Sequence, residues 1–106
     1  MEPLYVVVRK DIASGLQLAQ ACHATREFTK QWPEDGVGEN LVVLEAPLDQ
    51  LHFLAHRARM EETCHLTLFY EPDLGGELTA VAFGAGARKM LSQLPLAGRD
   101  RSSAAA

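Results

Sequence analysis

The feature that most constrains this chain is a run of five apolar residues, Leu4 to Val8, followed within six positions by a helix start. LYVVV is rich in β-branched residues and has no polar alternation, which predicts a central strand covered on both faces. Ser14, with Gln17 three residues later, has the capping-box pattern and predicts a helix that begins there. Pro33 biases the residue before it away from helix, so the helix should end near Gln31 or Trp32. Along it, Leu18, Ala21, Cys22, Thr25, Phe28 and Thr29 recur at helical spacing and are expected to press on a sheet. Leu16, Gln20, His23 and Glu27 form a neighbouring stripe, in which an imidazole has a carboxamide one turn before it and a carboxylate one turn after. The stripe reads as a polar site at the edge of a core.

The remaining pattern repeats this alternation. PEDGVGEN, residues 33–40, is a polar glycine-bearing loop, expected to move. LVVLE, residues 41–45, is a second strand, and Pro47 opens a second helix whose buried stripe is Leu48, Leu51, Leu54, Ala55 and Ala58. CHLTLFY (64–70) and LTAVAFG (78–84) are strands separated by EPDLGGE, and a short helix from about Ala87 to Leu94 is stopped by Pro95. The order β-α-β-α-β-β-α predicts an α/β three-layer sandwich with a four-stranded mixed sheet and helices on both faces. The two helical crossovers suit parallel strands, and the short third connection suits an antiparallel pair. Residues 1–97 form one domain, and the GRDRSSAAA tail, 98–106, is expected to be disordered.

Charge and cysteine content narrow the function. A formal charge of −4 over 106 residues disfavours gripping a long nucleic-acid backbone, so any such contact must use a local basic patch. Arg9 and Lys10 after the first strand, Arg26 and Lys30 on the first helix, and Arg88 and Lys89 on the last are the candidates to line one side; a solvated charged face explains them about as well. No run is apolar enough to cross a bilayer and the N-terminus enters a strand directly, so a cytoplasmic protein without membrane association is expected. Two cysteines are too few for a disulfide scaffold. Cys22-His23 and Cys64-His65 invite a zinc reading, but neighbouring side chains diverge on a helix or strand, and His52 with His56 lacks an acidic partner at metalloenzyme spacing. No metal is expected.

The run VVVRKDIASGLQLAQACHA resembles the N-terminal signature of the archaeal and eukaryotic type of peptidyl-tRNA hydrolase, in which a strand ending in arginine and aspartate leads into a helix carrying A-Q-x-x-H-A. It is most similar to a divergent branch of peptidyl-tRNA hydrolase domain-containing proteins, with Arg9-Lys10-Asp11, Ala19 to Ala24, Val42 to Pro47 and Glu71-Pro72 as the matching pieces. The resemblance spans roughly residues 4 to 94 and implies the same α/β fold. It implies hydrolysis of the ester between a peptide and the tRNA 3′ end by an activated water, without cofactor or metal, with peptidyl-tRNA as partner. His23 is then the base, Gln20 a holder of water or carbonyl, Glu71 an orienting group at a strand end and Thr79 a hydroxyl donor or acceptor. The family's glycine-lysine pair is Gly15-Leu16 here, and its aspartate after the third strand is matched by Glu71 or Asp73. The alternative expectation is an inactive relative that binds tRNA or a protein through the same surface. Sheet edges and an exposed helix face would allow two copies to pair.

Overall fold

The opening apolar run is the first strand, β1 (Leu4–Arg9), and it lies inside the sheet. In the computed structural model, which describes residues 1–98, it is followed by α1 (Ser14–Gln31), β2 (Leu41–Ala46), α2 (Leu48–Met60), β3 (Leu66–Glu71), β4 (Glu77–Phe83) and α3 (Arg88–Leu91). The strand order is β2-β1-β4-β3. β1 runs parallel to β2, with Leu4 opposite Leu41, and antiparallel to β4, with Tyr5 opposite Phe83; β3 is antiparallel to β4. The sheet is therefore mixed, with the short third connection making the antiparallel pair, as expected.

Both faces of β1 are covered, which explains its lack of alternation. Leu4, Val6 and Val8 pack with Ala21, Ala24 and Phe28 of α1 and with Ala80 and Ala82 of β4. Val7 packs on the other face with Leu51, Leu54, Ala55 and Ala58 of α2, Val81 and Phe83 of β4, and Leu91 of α3. This is the three-layer arrangement.

The helix α1 differs from its sequence reading in two ways. Its N-cap is Ala13, with extended backbone and no side-chain cap, so Ser14 and Gln17 do not form the capping box; Gln17 is instead turned inward. The buried stripe is Gln17, Gln20, Ala21, Ala24 and Phe28, while Leu18 is 65% exposed and Cys22 is exposed. The helix has rotated toward its alanines, because small residues on both α1 and β4 allow close approach and the sheet supplies partners for two carboxamides. In α2 the expected stripe is the observed one, although Leu48 is only partly buried and Pro47 is the N-cap rather than a helical residue.

The loop 33–40 is tied down rather than free: Gly38 N donates to Glu2 O at 2.7 Å and Leu4 N to Asn40 O at 2.9 Å. The segment after α3 lies along β2, where Glu45 N donates to Pro95 O and Ala97 N to Val43 O. Gly98 N reaches Glu45 Oε1 at 3.4 Å; residues 99–106, the rest of the expected disordered tail, lie outside the described residues. No described helix is long and apolar enough to cross a membrane.

Phe28 fixes α1 on the sheet with 1% of its surface exposed. Phe28→Ala should destabilise the fold by about 3–5 kcal/mol, read as a lower urea midpoint at unchanged slope.

Candidate functional site

The site begins with an extra residue in β4. Phe69 of β3 pairs with Ala80, but the next residue, Tyr70, pairs with Leu78, so Thr79 has no opposite number. Such a bulge reverses the alternation of the residues beyond it. Leu78 accordingly joins the α2 side of the core, and Thr79 turns toward α1. There its Oγ1 donates to Gln20 Oε1 at 2.6 Å, with both residues buried, and lies 3.4 Å from Phe69 O.

One turn along α1, His23 is exposed and its ring stacks on Phe69, with centroids 5.0 Å apart and planes at 17°. Gln20, His23 and Thr79 are thus brought together. Strand alternation puts Thr67, Phe69 and Glu71 on the α1 face of β3; Thr67 Oγ1 indeed donates to Gln31 Oε1 at 2.7 Å. Glu71 shares the face but makes no side-chain hydrogen bond to His23, Gln20 or Thr79. Because Gln31 meets the start of β3 and Gln20 meets Phe69's neighbour, α1 runs opposite to β3, which puts Leu16 toward the Glu71 end. An open groove of about 540 Å³ runs from Phe69 and Tyr70 past Glu27 and Lys30 to Gln31.

The basic residues do not line one side. Arg9 is committed to carboxylates: its guanidinium forks onto Asp11, at 2.7 and 2.9 Å, and reaches Glu77 at 3.0 Å. Its carboxylate partners raise its already high pKa, and Arg9 holds the Asp11 carboxyl below the usual carboxylate range, chiefly through that hydrogen bond. Lys10 is beside it at the end of β1. Arg88 and Lys89 follow β4, whose antiparallel course carries them to the opposite end of the sheet. Arg26 and Lys30 are exposed on the second half of α1, Lys30 at 3.5 Å from Glu27. The glycine turn before α3 has no amides free for a phosphate: Gly84 N donates to His65 O, Ala85 N to Asp35 Oδ2 and Gly86 N to Glu2 Oε2.

Two polar clusters escaped the sequence reading. Gln17 Nε2 donates to Arg9 O and to Glu45 Oε1, at 2.9 and 3.0 Å, while Gln17 Oε1 is buried without a partner among the described residues. The second cluster joins Asp35, His65 and Trp32. Asp35, with 3% of its side chain exposed, accepts from His65 Nδ1–H at 2.6 Å, and the His65 ring lies flat on Trp32 at 4.0 Å and 10°. Gly84 has no room for a side chain because Asp35 occupies the space a Cβ would need. The only signals in sequence were a loop aspartate and a Cys-His dipeptide, neither of which names its partner. Burial pushes the Cys64 thiol up to about 11, so it is protonated near neutrality. Among the described residues no three of His, Cys, Asp and Glu converge on one point.

No family model and no curated relative matches the chain. A solved structure of a protein of unknown function from Agrobacterium tumefaciens strain C58 has the same fold, with a TM-score of 0.69 over 89% of this chain and 96% of that one, at 15% identity. At that identity the likeness is one of fold alone.

Thr79→Val keeps the shape and removes the donor, leaving the buried Gln20 carbonyl unpaired. A loss of about 1–3 kcal/mol in chemical denaturation is expected. For Asp11, a pKa depressed in the folded state means stabilisation present above the unfolded value and lost as the pH falls through the folded one. A carboxyl NMR titration should find Asp11 protonating below about pH 3.9 in the native chain and returning toward that value in Arg9→Gln.

Proposed function

We propose that the chain hydrolyses the ester joining a peptidyl or aminoacyl group to the 3′ end of tRNA, at the site formed by Gln20, His23 and Thr79 with Glu71 on the same sheet face. The observation that carries this reading is the buried Thr79–Gln20 hydrogen bond one helical turn from an exposed imidazole. With Gln20 Oε1 occupied by the threonine hydroxyl, the orientation of the amide is set and Nε2 is its remaining donor. Gln20, itself buried, acts as a positioning residue one turn from His23, and the exposed His23 takes a proton from water as the oxygen adds to the ester carbonyl carbon. The C–O bond to the ribose then breaks, and the proton passes to the departing 3′ oxygen. Phe69 holds the imidazole by its face, leaving the ring edge for this exchange. Lys10, Arg26 and Lys30 meet phosphates, and Arg9 shapes the end of β1 through its ion pairs rather than by binding RNA.

A second reading, a tRNA- or protein-binding module without turnover, is favoured by two observations. Among the described residues His23 has no carboxylate to orient it, and Leu16 stands where the resembling family has lysine. The two readings separate in a single assay. Peptide release from purified peptidyl-tRNA should exceed the blank with the native chain and fall roughly 10²–10⁴-fold in His23→Ala. Release at the blank rate, recovered in Leu16→Lys, would establish the binding module, whose affinity for tRNA should then fall steeply with salt.

A further inference from the structure

The remaining built feature is at the far end of α1, where the Asp35–His65–Trp32 cluster borders a cavity of about 480 Å³ that Arg59 and Glu62 also line. Both oxygens of the Asp35 carboxylate are used, Oδ1 by His65 and Oδ2 by Ala85 N. A carboxylate can only accept here, so Nδ1 carries a proton and Nε2 is the ring nitrogen left for a ligand. Trp32 covers one face of the ring and is itself anchored through Nε1 to Leu66 O at 3.1 Å. The His65 side chain is 50% exposed and lines the cavity, and its opposite face and Nε2 edge are engaged by neither Trp32 nor Asp35. Capping the glycine turn accounts for Asp35, since Oδ2 alone does it. It does not account for an imidazole held flat, by one face and one nitrogen, at the mouth of a cavity.

We infer that this open imidazole face, extended behind by Trp32 and flanked by Arg59, is a binding site for a ribonucleotide base. A flat ring continues the stack on His65, a ribose hydroxyl hydrogen-bonds with Nε2, and the Arg59 guanidinium, which pairs with no carboxylate among the described residues, receives the phosphate. Glu62 on the same rim opposes that phosphate. The site stands apart from the ester chemistry assigned to His23, and its test reads binding, not turnover.

Trp32 is the only tryptophan, so its emission reports the site directly. Adenosine monophosphate added to the full chain at low salt should change that emission saturably, and His65→Ala should weaken binding by roughly tenfold. Arg59→Gln, at an exposed position that leaves folding untouched, should weaken adenosine monophosphate but not adenosine, and Glu62→Gln should tighten the monophosphate. His65→Phe keeps a stacking ring and should lose the preference for the ribonucleotide over its 2′,3′-dideoxy counterpart. An unpaired oligoribonucleotide binding more tightly than the mononucleotide would identify an RNA end as the source, and equal affinity a free nucleotide; either result sustains the site. No saturable change in a folded chain, equal affinity in His65→Ala and Arg59→Gln, or phenyl phosphate or a tyrosine-ended peptide binding as well as the nucleotide would each overturn it.

Discussion

The polar chemistry of this fold depends on the register of α1 against the sheet, and that register is held by three carboxamides. Gln17 reaches the end of β1 and Glu45 of β2, Gln20 meets Thr79 of β4, and Gln31 receives the hydroxyl of Thr67 at the start of β3. Apolar packing alone would leave the helix free to slide, because Ala21 and Ala24 meet Ala80 and Ala82, which are small and interchangeable. A shift of one turn would bury Gln17 and Gln20 without their partners, at a cost of roughly 1–3 kcal/mol for each unpaired group. The carboxamides therefore supply specificity where the alanines supply closeness. Closeness is also why the helix turns its leucine outward: Leu18 would hold α1 away from β4.

The bulge at Thr79 is what makes the middle one of these contacts. Without the extra residue, regular alternation would send Thr79 toward α2 and bring Leu78 under α1, leaving Gln20 facing an apolar side chain. The same extra residue completes the α2 side of the core, where Leu78 is 2% exposed. One irregularity thus satisfies a packing demand on one face and a hydrogen-bonding demand on the other, and fixes a hydroxyl, a carboxamide and an imidazole within one helical turn.

How much of this was legible depends on whether a residue's role is local. The strands, the limits of α1 and the α2 stripe follow from periodicity and from Pro33, and the structure has them. Gln20, His23 and Thr79 were found through residue identity and resemblance, but their meeting point needed the bulge, which leaves no mark in LTAVAFG. The capping box failed for the complementary reason: Gln17 satisfies the local pattern, yet a backbone carbonyl and a buried carboxylate on two strands compete for its amide and win. Asp35 and His65, thirty residues apart in chain and joined only by the topology, carry no local signal at all.

Charge distribution follows from the same topology. An antiparallel β4 between β1 and β3 sends the basic residues after it to the opposite end of the molecule from Arg9 and Lys10, so basic pairs that seem alike in sequence cannot act as one patch. With a net charge of −4, and Arg9 held by Asp11 and Glu77, the described residues offer a few separated cations rather than a continuous track. Recognition of an RNA by such a surface must draw on contacts that do not scale with the number of phosphates. Exposed rings are the other feature of this surface: His23 on Phe69 in the middle of α1 and His65 on Trp32 beyond its end are both imidazoles stacked on an aromatic ring. Only the second has a buried carboxylate fixing its proton. That asymmetry separates the two in kind: the carboxylate fixes which edge His65 presents, whereas His23 is held by its face alone.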